Sequence, residues 1–156
     1  MRRLIYALQF VRPAGTTPGG EAIVAASARI TTAITPAGVN GEIETLDQYQ
    51  TAVVQVTAVP VPGAPGTFTE SGTVTFGDPA EGNSIHFNSV GVGYLDVYPC
   101  PEEPFTAGTV MWAIDQGAGF FEGATGAITS NFLVDRSQPH DEGELIAYHF
   151  GVIYLP

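Results

Sequence analysis

Short stretches rich in Val, Ile, Thr, Phe and Tyr, with side chains alternating in character, run between Gly and Pro clusters along the chain. Side chains two apart share a face of a strand, so this pattern predicts β-structure, and the density of β-branched residues argues against helices. Candidate strands cover roughly 3–11, 22–34, 41–47, 51–59, 67–76, 84–97, 108–116, 126–135 and 144–155. Turn sequences such as Val61-Pro62-Gly63-Ala64-Pro65-Gly66 and Gly77-Asp78-Pro79 separate them. Within the second, Ala25-Ala26-Ser27-Ala28 could instead form a helical turn. In the last strand Ile146, Tyr148, Phe150, Val152 and Tyr154 share one face, and Leu145, Ala147, His149, Gly151, Ile153 and Leu155 share the other. Both faces are largely apolar, which calls for cover on both sides: a barrel interior on one and, on the other, a C-terminal helix, a second sheet or another subunit, of which a subunit interface is the leading expectation. The strand near 84–97 carries Ser89, Gly91 and Gly93 on one face, small residues that either let a barrel taper or leave room for a ligand.

A length of 156 residues fits one domain, 1–156, and 44% apolar content is enough for a core. Charged residues make up only 13% of the chain, about half the roughly 25% usual in globular domains. The basic residues are all arginines and the net charge is -11, which opposes binding to nucleic acid, anionic membranes and highly charged anions. No lysine occurs, so Schiff-base chemistry and a Walker-type phosphate loop are excluded. One cysteine, Cys100, cannot form an internal disulfide, and three histidines give no zinc-finger spacing. The start Met-Arg-Arg-Leu-Ile-Tyr-Ala-Leu reads as a first strand rather than a signal peptide, and no stretch approaches the ~20 apolar residues of a membrane helix. A cytoplasmic protein without membrane insertion is expected, with no metal and no cofactor.

The sharpest local pattern is Gly117-Ala118-Gly119-Phe120-Phe121-Glu122-Gly123-Ala124-Thr125-Gly126. It lacks the surrounding βαβ unit of a dinucleotide fingerprint, so it reads as a glycine-rich connection between antiparallel strands, with Phe120 or Phe121 plugging one end of the core. His86 and His149 are expected to be hydrogen-bonded structural residues, and His140 an exposed turn residue. Glu102-Glu103 reads as a solvated charge pair, and Ser84 and Ser89 lack the context of a serine triad.

The segments Phe68-Thr69-Glu70 through Val74-Thr75-Phe76-Gly77-Asp78, the Gly117–Gly126 motif and the closing Tyr148-His149-Phe150-Gly151 resemble the allene oxide cyclase-like barrel family, with dirigent proteins as more distant relatives. The resemblance implies an eight-stranded antiparallel β-barrel with an apolar cavity, a homo-oligomer (trimer, or dimer), and cofactor-free cyclisation of an unstable epoxide made from a fatty acid. In the plant cyclases a cavity glutamate and an asparagine on the first strand, a Ser-Pro pair and a second asparagine fix a water against the epoxide oxygen. Here the pair resembles Thr17-Pro18 and the second asparagine resembles Asn40; alignment on Tyr6 puts Ala7 at the glutamate and Gln9 at the first asparagine, while alignment by distance from Thr17-Pro18 puts Gln9 at the glutamate. Either way the glutamate has no counterpart. The expected catalytic set is Gln9, Thr17, Pro18 and Asn40, with Tyr6, Ala7, Val54 and Tyr94 as substrate-binding walls. The leading expectation is a cofactor-independent cyclase or isomerase that holds an apolar reactive intermediate, a fatty-acid epoxide or polyketide-like molecule, in the barrel lumen. The competing one is a non-catalytic barrel that binds or orients a small apolar ligand. Both require an open lumen of roughly 300 Å³ or more.

Overall fold

The computed structural model describes residues 1–12, 23–29, 43–44, 51–97, 105–135, 137 and 143–156. Ten strands occur among them: β1 (Arg2–Arg12), β2 (Ile23–Arg29), β3 (Ile43–Glu44), β4 (Thr51–Pro60), β5 (Thr67–Phe76), β6 (Ser84–Ser89), β7 (Gly93–Val97), β8 (Phe105–Ala118), β9 (Thr125–Asp135) and β10 (Leu145–Leu155). Two 3-10 turns, Pro79–Glu81 and Gly119–Phe121, are the helical elements described. The described residues are therefore all-β, as the alternation predicts. Residues 25–28 lie in a strand, because all of β2 pairs with β4, and ladder bonds outweigh the helical preference of the alanines.

The strands form an eight-strand antiparallel sheet with two additions. Its neighbours run β10, β9, β8, β6, β5, β4, β2 and β1, and β1 also pairs with β10 over its full length, from Arg2↔Leu155 to Arg12↔Leu145. β3 lies parallel to β1. The predicted strand 84–97 is broken at Val90-Gly91-Val92, where Gly91 turns at φ +72°. Beyond the break β7 takes the place of β6 between β5 and β8.

Alternation makes the two faces unlike. From β1, Leu4, Tyr6, Leu8 and Phe10 enter the core, and Val54, Val74, Phe87 and Trp112 join them from other strands. The Tyr6 ring on β1 meets the edge of Phe76 on β5, with ring centres 6.2 Å apart, so the sheet curves until one face packs against itself. Aromatic rings fill this interior: Phe87 stacks on Trp112 at 3.9 Å, and Phe76 packs on Phe121 at 4.5 Å. Glycines make room for more. A Cβ on Gly93 would lie 2.4 Å from the Phe68 ring, and one on Gly108 would strike Phe132 at 2.1 Å, so aromatic neighbours occupy the space that the small residues leave.

The glycine-rich connection behaves as its sequence suggests. Gly119 adopts φ +61°, opening a single 3-10 turn that places Phe121, fully buried, over the end of the core. Asn83 clamps the turn by accepting the Phe120 N–H at 2.8 Å. Phe120 stays half-buried, with the Arg2 guanidinium 5.0 Å from its ring centre. Phe121→Ala should lower the unfolding free energy by about 3–5 kcal/mol in a urea titration, and Phe120→Ala by less than half of that. Equal losses would show that Phe121 is not the plug.

Candidate functional site

Period-two geometry decides where each candidate residue points. On β1 the even positions enter the core, so Tyr6 is buried inside while Ala7 and Gln9 lie on the outward face. Gln9 Nε2 donates to the Tyr148 hydroxyl at 2.7 Å, a contact made on the outside of the sheet. Both positions that could align with the family's glutamate are odd-numbered, so neither reaches the interior from this strand. Val54 is a buried core residue and Tyr94 is exposed on the outward face. Thr17, Pro18, Asn40, His140, Cys100, Glu102 and Glu103 lie outside the described residues. The structure therefore places Tyr6 and Val54 inside, and Ala7, Gln9 and Tyr94 outside.

The expected open lumen is not found among the described residues, where rings of Tyr6, Phe10, Phe76, Phe87, Trp112 and Phe121 occupy the interior. Two cavities bounded by these residues lie elsewhere. One, of about 520 Å³, is an open trough between Tyr94 and Tyr148, with Thr109, Asn131, Leu133 and Ile146 along it. The other, of about 300 Å³, sits beside the break between β6 and β7 and is lined by Thr57, Thr69, Glu70, Ser71, Asn88 and Ser89 among others.

Glu70 borders the second cavity but turns its carboxyl inward, to Trp112. Strand register puts Ser71 opposite Asn88 and Ser89 opposite Trp112, so Glu70, Ser89 and Trp112 fall in one row across β5, β6 and β8. The Glu70 N–H donates to Ser89 Oγ at 3.0 Å, and Trp112 Nε1 donates to Glu70 Oε2 at 2.9 Å. Burial raises the carboxyl to about 7, against a smaller opposing effect of the Trp112 hydrogen bond. A carboxyl that titrates near neutrality can both give and take a proton there. Sequence reasoning passed over this residue, although a signal existed. Phe68, Gly72, Val74 and Phe76 occupy the other even positions of β5, so an acid at 70 must share their inward face.

Trp112 links this carboxyl to a second buried group. Its ring meets His149 edge-on at 4.6 Å, and Phe10 packs against the imidazole at 4.5 Å. The Tyr6 hydroxyl stands 3.4 Å from His149 Nδ1. Burial lowers His149 to about 3 and raises the Tyr6 hydroxyl well above its ordinary value, so both are neutral at pH 7. His149 is thus the buried, partnered histidine that its sequence position suggests. His86, also hydrogen-bonded, sits on the outward face with Nδ1 3.0 Å from Thr73 Oγ1. Among the described residues no cluster of His, Cys, Asp or Glu could hold a metal ion. Comparison with protein-family models, with curated proteins and with solved structures finds no match to the chain.

The two shifted groups give stability opposite pH dependences. His149 titrates near 3 when folded and 6.5 when unfolded, so the unfolded chain binds the extra proton and stability is lost as pH falls from 6.5 towards 3. Glu70 titrates near 7 when folded and 4.5 when unfolded, so the folded chain keeps the extra proton and stability is lost as pH rises from 4.5 through 7. The effects are on the order of 5 kcal/mol for His149 and 3 kcal/mol for Glu70. Urea titrations at pH 4, 6 and 8 should find Glu70→Gln more stable than wild type at pH 8 and equal to it at pH 4. An equal gain at all three values would mean that the carboxyl is not desolvated.

Proposed function

We propose that the chain is a closed barrel of the allene oxide cyclase-like type, and that it acts as a cofactor-independent cyclase or isomerase on an apolar reactive intermediate. The observation that carries this reading is Glu70, an inward carboxyl that burial raises to about 7 and that Trp112 holds by a hydrogen bond. Pairing of β1 with both β2 and β10 and the Phe121 plug support the barrel. The family's first-strand glutamate has no counterpart here, and in this reading β5 supplies the carboxylate instead. Trp112 holds Oε2, so proton exchange falls to Oε1. Protonated, Glu70 donates to the oxygen of an epoxide or carbonyl; ionised, it takes the proton released at a neighbouring carbon or stabilises a developing cation. One such group can move a proton between two atoms of the same molecule, which is the whole requirement of an isomerisation. The net charge of -11 favours an uncharged guest over an anion.

The open trough of about 520 Å³ between Tyr94 and Tyr148 favours a second reading, a non-catalytic, dirigent-like barrel that binds or orients a small apolar ligand. An unstable fatty-acid epoxide generated in situ, with chiral analysis of the cyclised product, separates the two. Wild type should give one enantiomer in excess, and Glu70→Gln should lower the catalysed rate by roughly 10²–10⁴-fold. A racemic product with both proteins would remove the catalytic reading. Carbon-13 NMR of labelled glutamate should also show one carboxyl titrating near 7 that disappears in Glu70→Gln.

A further inference from the structure

Among the described outward faces, that of β8, β9 and β10 is rich in large apolar side chains. Tyr148 is 57% exposed and Phe150 48%, with Met111, Leu133 and Tyr154 exposed beside them. Register sets these residues in adjoining rows: Phe150 opposite Thr129 and Thr129 opposite Met111, Ile146 opposite Leu133, Tyr148 opposite Asn131. No charged side chain faces outward from Ala107 to Ala113 on β8, from Thr125 to Leu133 on β9, or from Ile146 to Tyr154 on β10. Asp96 and Asp115 stand only at its margins. In a chain of net charge -11, so wide an uncharged area is a segregation of charge.

We propose that this face packs against the same face of a second copy of the chain, forming a two-fold dimer. Two considerations select this occupant. The first is area. Half-exposed aromatic and Met side chains contribute about 100 Å² each, and with the Thr, Ala and Asn positions between them the face reaches the ~800 Å² per partner of a stable interface. Aromatic and Met enrichment with depletion of charge is also the composition of an interface centre. The second is electrostatic. Two copies of net charge -11 repel through any surface that carries their carboxylates, and this face carries none between its margins; the outward positions of β4, β5 and β6 are uncharged too, but they present Gln55, Ser71, His86 and Asn88 in place of large apolar side chains. A lipid bilayer fits less well, because the outward positions of β4, β5 and β6 include Gln55, Thr57, Ser71, His86 and Asn88, which interrupt any apolar belt.

Sedimentation equilibrium at about 50 μM tests the pairing. Wild type should show twice the protomer mass, and Phe150→Arg should show the protomer mass with an unchanged circular dichroism spectrum. Val53→Arg, at an exposed position on β4, should remain dimeric. Added NaCl should tighten the dimer by screening the repulsion, whereas an interface held by ion pairs would loosen. A monomeric wild type, a mass of three protomers, or a Phe150→Arg variant that keeps the dimer mass would each overturn the proposal. Flotation of wild type with phosphatidylcholine vesicles, lost in Phe150→Arg, would overturn it in favour of a membrane. None of these readouts depends on Glu70, so the pairing can fail while the catalytic reading stands.

Discussion

One hydrogen bond organises the interior. Trp112 lies in the middle of β8 with its indole fully inside the core, and a buried N–H without an acceptor costs about 1–3 kcal/mol. Glu70 supplies the acceptor. In doing so it carries a carboxyl into surroundings that resist its charge, and the raised titration point follows from that placement. The same indole, stacked on Phe87 and set edge-on to His149, fixes the ring packing on the other side. Packing and acid-base character therefore share a cause: the indole must be both surrounded by rings and given an acceptor.

Charge is distributed as unevenly as volume. The core holds His149 and Tyr6 in neutral form and Glu70 close to neutrality, while of the other described carboxylates Asp78, Glu81 and Glu122 lie at turns and Asp135 at a strand end. Arg12 is a buried exception, with its guanidinium donating to the Gly143 carbonyl at 2.8 Å. That contact ties the end of β1 to the approach to β10. It gives a buried cation a backbone oxygen as partner.

Strand boundaries were legible wherever turn chemistry was strong. Thr67–Phe76 has the predicted limits because Pro-Gly and Gly-Asp-Pro sequences bracket it. β8 begins at Phe105 instead of 108, since Phe105 to Ala107 pair with Asp135 to Leu133, an extension set by the partner strand and invisible locally. The break at Val90-Gly91-Val92 was present as small residues but read as taper or ligand space, because nothing in the sequence says that Phe68 fills the gap at Gly93. The site divides similarly. Parity alone places Glu70 inward, whereas its meeting with Trp112, 42 residues away, needs the registers of β5 with β6 and of β6 with β8. Gln9 was drawn inward by alignment to a family pattern, and parity on β1 sends it out to Tyr148.

The long ladder between β1 and β10 has a consequence for biosynthesis. Tyr6 and Gly151 are direct partners, so the strand made first among those described must wait for the one made last. During translation β1 leaves the ribosome with Leu4, Ile5, Leu8 and Phe10 and no lasting neighbour along that edge. The nascent chain therefore carries an open, apolar strand edge until β10 has emerged, the interval in which chaperones or premature association compete for it.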